Sequence, residues 1–178
     1  MSELKESTIS SKKVYDGNFL DVRKDIVNLP DGKTSTREWI NHPGAACIIP
    51  LMPNGKLALI KQYRYPVKSI MIELPAGKID AGENPETCAL RELEEEIGFS
   101  AGKLTFVSKI YPAIGFANEE MSIFLAENLS KSEKKTDHDE FIELLPTTVE
   151  DAVRMVWDRK ITDVKTIIGI LWAERLLS

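Results

Sequence analysis

The sequence predicts an α/β fold, in which a mixed β-sheet is covered on both faces by helices and is preceded by a small antiparallel β subdomain. Three observations lead to this prediction. Apolar and polar residues alternate over residues 13–41, strand-like runs then flank one helical segment near the middle of the chain, and two further helical segments close it. Strands interspersed with single helices are typical of a sheet packed between helical layers.

Composition and charge restrict the class of protein. The chain has 178 residues, of which 43% are hydrophobic and 29% charged, as expected for one globular domain with a substantial core. The net charge is −5, and no basic block provides the surface that nucleic-acid binding requires. We therefore expect no nucleic-acid partner, and any anionic substrate must be met by local cations or a metal ion.

Cysteines, histidines and targeting signals are sparse. Cys47 and Cys88 are interpreted as small buried side chains, since two thiols cannot build a disulfide framework or a Cys-rich zinc site. His42 and His138 are isolated, and each is expected on the surface or in a loop rather than as a ligand. The polar N-terminal segment has no apolar core, and no run of eighteen apolar residues occurs. We expect a cytoplasmic protein with no membrane partner.

The N-terminal quarter of the chain is predicted to form an antiparallel β meander. Alternation over residues 14–29 leads into the turn Pro30-Asp31-Gly32-Lys33, and a further strand follows over residues 36–40. We assign residues 1–43 to this subdomain and residues 44–178 to the main domain.

The main domain is predicted to begin with a hairpin at the centre of its sheet. Residues 45–51 are apolar on both faces, and a turn at residues 53–56 connects them to a strand over residues 57–63. The remaining strands are predicted over residues 69–74, 104–110, 121–126 and 141–145. Two helices are predicted near the C-terminus, over residues 149–158 and 164–177.

The helix in the middle of the chain has clear signals at both ends. Asn84 is predicted as its N-cap and Pro85 as its first helical residue, and Gly98 follows its last turn. A buried stripe recurs every four residues, formed by Ala89, Leu93 and Ile97.

Three glutamates of this helix, Glu92, Glu95 and Glu96, are spaced so that their carboxylates converge on one patch. Converging carboxylates repel one another. Such a patch is stable when it faces bulk water, or when hard divalent cations such as Mg²⁺ bind its oxygens. Taken alone, the acidic run indicates a solvated face more often than a metal site.

The residues around this run favour the metal site. Gly77, Glu83, the segment Arg91–Glu96, Gly98 and Phe99 match the pattern G-x5-E-x7-R-E-U-x-E-E-x-G-U, with U a bulky apolar residue, at every fixed position. This pattern is the Nudix box, and the sequence resembles the Nudix hydrolases, which fold as an α/β/α sandwich. The resemblance implies that water attacks a phosphorus of a nucleoside diphosphate linked to another group, with Mg²⁺ as cofactor and Mn²⁺ as a substitute.

The resemblance also implies a role for each residue of the box. Glu92 and Glu96 would be the principal metal ligands, with the Ala76 carbonyl completing the coordination sphere. Glu95 would hold another ion or bridging waters and is counted with the catalytic residues. Structural roles are implied for Gly77, Glu83, Arg91 and Gly98, with Glu83 and Arg91 as a charge pair that braces the loop against the helix.

The resemblance implies that the general base comes from the acidic loop before the penultimate strand, rather than from the box. Glu140 and Asp139 are the two candidates, and Glu140 reaches further. A solvated loop with no catalytic role is the alternative interpretation of both residues.

The resemblance extends over nearly the whole chain to the branch that hydrolyses ADP-ribose and nucleoside diphosphate sugars. It rests on the meander and on the segments Arg37-Glu38, Gln62-Tyr63-Arg64, Ile72 to Gly77 and Gly115-Phe116. This branch implies a homodimer that exchanges its N-terminal strands. By position, Phe19 and Arg37 would sandwich the nucleobase, Arg64 would contact phosphate and Glu73 the nucleoside end. An ordinary hairpin aromatic is the alternative for Phe19.

Two features bear on specificity. Ile114 stands where strict ADP-ribose enzymes carry a proline, which implies a different loop facing the terminal sugar. The segment Asp163-Val164-Lys165 resembles the Asp-x-Lys motif of nucleoside diphosphate sugar hydrolases. The motif implies that Asp163 and Lys165 contact the substrate. By position alone, Asp163 is an ordinary cap or first-turn acid, whereas Lys165 opposes the helix dipole and is expected to be retained for an anion, unless it is a surface lysine.

These features favour a hydrolase that splits the pyrophosphate of nucleoside diphosphate sugars into a nucleoside monophosphate and a sugar phosphate. ADP-ribose, ADP-glucose and GDP-mannose are the type of substrate expected. A strict ADP-ribose pyrophosphatase is the second hypothesis. A sugar-nucleotide sensor without hydrolytic activity is the third, although such proteins usually lack the metal carboxylates that this chain retains.

Overall fold

The computed structural model describes residues 4–132 and 141–177 and has the predicted mixed α/β architecture. Within these ranges the strands are β1 (Ser7–Asp16), β2 (Asp21–Asn28), β3 (Thr34–Asn41), β4 (Ala45–Pro50), β5 (Leu57–Arg64), β6 (Ser69–Glu73), β7 (Ala76–Lys78), β8 (Phe99–Ile110), β9 (Met121–Lys131) and β10 (Ile142–Thr147). The helices are α1 (Pro85–Ile97), α2 (Val149–Trp157) and α3 (Val164–Leu177).

The first three strands form a separate antiparallel sheet in the order β1-β2-β3. This confirms the predicted meander, although β1 begins at Ser7, because its pairing with β2 continues through polar residues that lack alternation. All ten side chains of β1 are exposed. Backbone hydrogen bonds join this sheet to the main domain, from Ile40 N to the Phe116 carbonyl (2.8 Å) and from Asn118 N to the Ile40 carbonyl (3.3 Å).

The main domain contains two sheets, in the orders β7-β4-β9-β8 and β10-β5-β6. The pairing of β4 with β9 is parallel, whereas the other pairings are antiparallel. Alternate residues of β4 pack into two separate hydrophobic clusters: Ala45, Cys47 and Ile49 face α2 and α3, and Ala46 and Ile48 face α1. The strand is therefore covered by helices on both sides, which explains why it is apolar at every position.

The predicted central hairpin is wrong. β4 and β5 are adjacent in the chain, but they belong to different sheets and share only an isolated bridge between Leu51 and Leu57. Both edges of β4 are already paired, one with β7 and the other with β9, so no edge is left for β5.

Other differences concern the lengths of strands. β8 and β9 pair from Phe99 opposite Lys131 to Ile110 opposite Met121, about five residues beyond the predicted ends. The additional residues of both strands include many polar side chains, and a prediction based on apolar residues does not detect them. The short strand β7 was not predicted, since Pro75 directly precedes it and it has only three residues.

The predicted ends of α1 are confirmed. The Asn84 side chain accepts a hydrogen bond from Thr87 N at 2.8 Å, Pro85 opens the helix, and Gly98 ends it in the left-handed conformation at φ 70°. Both cysteines are buried as predicted, and burial raises the pKa of the Cys47 and Cys88 thiols to about 12. Across residues 4–132 and 141–177, every helix is too short or too polar to span a bilayer.

Candidate active site

A cavity of about 310 Å³ lies where the N-terminal sheet meets the main domain. Six of the residues that line it were predicted from the sequence as site residues, namely Phe19, Arg64, Ala76, Gly77, Asp163 and Lys165. The sequence analysis assigned no site role to the other residues, which are His42, Ala45, Lys78, Pro112, Glu119, Met121 and Val164. Glu119 follows the Gly115-Phe116 segment that supported the resemblance, three residues after Phe116, and this proximity was the available signal.

Helix α1, which carries the box carboxylates, packs against β7 next to the cavity. A Cβ atom placed on Gly77 would lie 1.7 Å from Glu92 Oε1, so the absence of a side chain there leaves room for the Glu92 carboxylate. On the neighbouring residue, Ala76 N donates a hydrogen bond to Glu96 Oε2 at 3.0 Å. The Glu96 side chain is almost fully buried, at 3% exposure. The box spacing thus places two carboxylates of α1 directly against the backbone of residues 76 and 77.

Arg91 connects the carboxylates of the box. Its Nε and Nη2 donate to the two oxygens of Glu83, both at 3.0 Å, and its Nη1 donates to Glu92 Oε1 at 2.7 Å and to Glu95 Oε2 at 2.8 Å. Nη2 also donates to the Lys78 carbonyl at 3.1 Å. The hydrogen bonds from Arg91 hold the pKa of Glu83 below its usual value, and the carboxylates raise that of Arg91. One guanidinium therefore ties the loop, β7 and α1 together.

We expect Arg91→Met to lower the free energy of unfolding at pH 7 by about 2 kcal/mol, because Glu83 and Glu92, with side chains 10% and 12% exposed, would lose a shared cation. Since the pKa of Glu83 is lowered in the folded state, its stabilisation is present above the ordinary carboxyl pKa and is lost as pH falls through the lowered value. The deficit of the variant should therefore shrink as pH falls below about 4.

Urea unfolding at several pH values measures this difference. The matched control is Arg154→Met, which removes an arginine that is 61% exposed and pairs with Asp151 on the surface of α2. That change is expected to cost less than about 1 kcal/mol. An equal loss in both variants would contradict a bracing role for Arg91.

Two cations and two carboxylates form a connected network, of which Arg64, Asp163 and Lys165 line the cavity. Arg64 donates to both oxygens of Glu73, at 2.7 and 2.8 Å, and Lys165 Nζ donates to Glu73 Oε2 and, at 2.9 Å, to Asp163 Oδ2. Lys165 is only 7% exposed, so the alternative of a surface lysine is wrong. Its anionic partners within the described chain are these two carboxylates.

Burial and charge act in opposite directions within this network. Burial tends to raise the pKa of Glu73, but the hydrogen bonds from Arg64 and the charge of Lys165 outweigh it, and the pKa is lowered. Burial likewise tends to lower the pKa of Lys165, and the charges of Glu73 and Asp163 reverse that shift. Glu73 and Lys165 are therefore expected to be charged at neutral pH.

The structure places some of the other predicted substrate contacts at this cavity and others away from it. Phe19 lines it and makes an edge contact with the His42 ring at 6.3 Å, but Arg37 of the same chain instead donates to Glu6 and to the Thr36 carbonyl. Ile114 is 82% exposed and does not line the cavity, although Pro112 of the same loop does. The candidate bases Asp139 and Glu140, like His138, lie outside the described residues.

The donor set on α1 suits a hard divalent cation. Glu92, Glu95 and Glu96 supply carboxylate oxygens, the backbone N–H of Ala76 contacts Glu96, and Gly77 leaves the space that Glu92 occupies. Among residues 4–132 and 141–177, no three acidic, histidine or cysteine side chains are already grouped as a metal site. Glu92 and Glu95 each accept from Arg91 Nη1 through one oxygen, and a carboxylate has a second oxygen that can ligate a cation.

Comparison with known proteins agrees with this geometry. The sequence matches the NUDIX domain over residues 41–164 and the nucleoside diphosphate sugar hydrolase N-terminal domain over residues 6–40. It is 43% identical over 176 residues to the ADP-ribose pyrophosphatase of Bacillus subtilis (strain 168), covering 98% of this chain and 95% of that protein. It is also 36% identical over 171 residues to the methanol dehydrogenase activator of Bacillus methanolicus, covering 95% and 92% of the two chains.

A solved structure has the same fold. The crystal structure of an ADP compounds hydrolase superposes with a TM-score of 0.88, covers 99% of this chain and 96% of its own, and is 23% identical in sequence. The box residues, their placement against β7, and the match of the domain model over most of the chain agree with one another. The chain therefore belongs to the Nudix hydrolase family.

Proposed function

We propose that the protein hydrolyses the pyrophosphate bond of nucleoside diphosphate sugars, including ADP-ribose, to a nucleoside monophosphate and a sugar phosphate. The observation that carries this proposal is the cavity itself, which has the carboxylates of α1 behind Ala76 and Gly77 and the guanidinium of Arg64 on another wall. Such a cavity would offer a phosphate partner in its lining and candidate metal ligands directly behind it. The similarity to the ADP-ribose pyrophosphatase of B. subtilis supports the same substrate class.

Separate groups of residues would bind the metal ion, the phosphate and the nucleobase. Glu92, Glu95 and Glu96 would hold Mg²⁺ or Mn²⁺ with the Ala76 carbonyl, and a bound ion would neutralise the pyrophosphate and lower the pKa of the attacking water. Arg64 would bind a phosphate oxygen through its half-exposed guanidinium. Phe19, which is 65% exposed at the mouth of the cavity, would stack on the nucleobase.

Two assignments remain proposals about the ends of the substrate. Glu140 or Asp139 would remove the proton from the attacking water, which is the role that the family resemblance gives this loop. Ile114 would shape the loop around the terminal sugar. Ile114 and the segment Asp163-Val164-Lys165 favour a broad range of nucleoside diphosphate sugars over ADP-ribose alone.

The test is the release of phosphomonoester from a substrate panel, coupled to alkaline phosphatase, with Mg²⁺ or with a chelator. The panel contains ADP-ribose, ADP-glucose, UDP-glucose, GDP-mannose, NADH and nucleoside triphosphates. Comparable Mg²⁺-dependent rates on several sugar nucleotides would support the broad reading. Activity on ADP-ribose alone would support the strict pyrophosphatase, and binding without turnover on any compound would support a sensor.

We also infer that the active unit is a homodimer. The outer strand β1 has every side chain exposed, including the apolar residues Ile9, Val14 and Tyr15 at 52%, 49% and 58%. An exposed sheet face with large apolar side chains is a candidate for burial against a second copy. Arg37 does not line the cavity of its own chain, so a second copy would have to supply the guanidinium opposite Phe19.

Co-expression of two defective variants tests whether the sites are shared between subunits. Glu96→Gln would inactivate a subunit's own site, whereas Arg37→Ala would weaken the partner's site. If the sites are shared, half of the molecules in a random mixture are heterodimers with one intact site, and about a quarter of wild-type activity returns. A mass near 20.0 kDa in solution, or a mixed sample with no recovery, would contradict the shared site.

A further inference from the structure

We propose that Lys165 is a positioning residue that acts on the substrate through Glu73 and Arg64, rather than by direct contact. This inference rests on the proposed function, and it departs from the direct substrate contact that the Asp-x-Lys motif predicts. Lys165 also lies just outside the matched domain model, which ends at residue 164.

Hydrogen bonds hold Glu73 between two cations. Glu73 is 2% exposed and accepts from Arg64 Nε and Nη2 on one side and from Lys165 Nζ on the other. Among the described residues, Arg64 Nη1 has no hydrogen-bond partner, and Arg64 is 40% exposed at its side chain. One edge of the guanidinium is therefore fixed by Glu73, and the remaining nitrogen is available to an anion in the cavity.

The charges of the four side chains in this network balance one another. Arg64 and Lys165 contribute two positive charges, and Glu73 and Asp163 contribute two negative charges, so the network is neutral. Without Lys165 the network would carry a net negative charge, and the buried Glu73 would have Arg64 as its only cationic partner among the described residues. Arg64 would then face a pyrophosphate while neutralising Glu73 alone, and a polyanionic substrate would bind more weakly.

The network lies between two cavities. Arg64, Asp163 and Lys165 line both the cavity of about 310 Å³ and a second cavity of about 270 Å³, which is also lined by Pro66, Val67, Met71 and Glu73. The network thus forms a shared wall, and a change of charge within it acts directly on the substrate cavity.

A separate set of hydrogen bonds secures the adjacent backbone. Leu74 N donates to Thr166 Oγ1 at 2.8 Å, and Thr166 Oγ1 donates to Asp163 Oδ2 at 2.5 Å. Thr166 N also donates to Asp163 Oδ2, at 3.1 Å. Asp163 Oδ2 also accepts from Lys165, but the Leu74–Thr166 hydrogen bond does not involve the ammonium, so α3 and the strand end before Ala76 stay connected when Lys165 is replaced. The effect of Lys165 on binding is therefore separable from the support of this backbone.

The test compares Lys165→Met in two backgrounds, using KM for ADP-ribose, kcat, and the Kd of ADP measured by calorimetry without added metal. In the wild-type background, the variant is expected to raise KM and the ADP Kd about 10- to 30-fold, with a smaller change in kcat. In the Glu73→Gln background, the network without Lys165 is neutral again, because one positive and one negative charge have been removed, and both constants of the double variant are expected to return to within about threefold of the wild-type values. The matched control is Lys160→Met, which removes an exposed lysine paired with Asp158 and is expected to leave all constants unchanged.

The outcomes are distinct. A double variant that binds ADP more than about tenfold more weakly than the wild type would overturn the proposal, because the loss of a carboxylate does not replace a lysine that contacts the substrate. No change in the wild-type background would overturn it as well. If Lys165→Met alone does not fold, the comparison of the double variant with the wild type still decides. A wild-type protein that binds ADP but hydrolyses no panel compound would refute the proposed function, and the ADP Kd values would still test the role of Lys165.

Discussion

Glu96→Gln is expected to reduce metal-dependent turnover by at least about 100-fold, which corresponds to a loss of more than about 2.7 kcal/mol of transition-state stabilisation. Glu96 is 3% exposed and accepts from Ala76 N at 3.0 Å. A glutamine has the same shape and keeps an oxygen that can accept this hydrogen bond, but it lacks the negative charge that a divalent cation requires. The fold should therefore persist while the chemistry is lost.

The matched control for this prediction is Glu94→Gln on the same helix. Glu94 is exposed, so the substitution removes the same charge from α1 without touching the site. Initial rates on ADP-ribose over a range of Mg²⁺ concentrations, with thermal unfolding of each variant, separate the two effects. Equal activity of the two variants would contradict a metal-ligand role for Glu96.

Gly77→Ala is expected to reduce kcat/KM about 10- to 100-fold with little loss of stability. The new Cβ would lie 1.7 Å from Glu92 Oε1 and 1.9 Å from Glu92 Cδ, so the carboxylate has to leave its position. Both atoms are at the end of a flexible side chain, which can rotate away at small cost to the fold. The residue that moves is also the one expected to bind metal, so a change of one methyl group is expected to act on catalysis.

Activity and melting temperature measured on the same preparation check this prediction. The expected result is a melting temperature within a few degrees of the wild type, together with a higher Mg²⁺ concentration at half-maximal rate. Wild-type kinetics in a folded Gly77→Ala protein would show that the position of Glu92 is not important. A large fall in the melting temperature would assign the glycine to folding.

Much of the architecture was predictable because it depends on local patterns. The ends of α1 follow from Asn84, Pro85 and Gly98, whose side chains or backbone freedom satisfy the helix termini without help from other elements. The central hairpin was predicted wrongly, since a turn signal specifies that the chain reverses and not which edges become paired. The partners of β4 come from residues far away in the chain, in β7 and β9.

The candidate site divides in the same way. By itself, the sequence determined the Nudix box, because the convergence of carboxylates one turn apart on a helix is fixed by helical geometry alone. Only the tertiary structure decided that Lys165 is buried and that its charge is directed at Glu73 and Asp163, since β6 and α3 are about ninety residues apart in the chain. The burial of a charge depends on the surfaces that the complete fold brings together, and no local spacing encodes that environment.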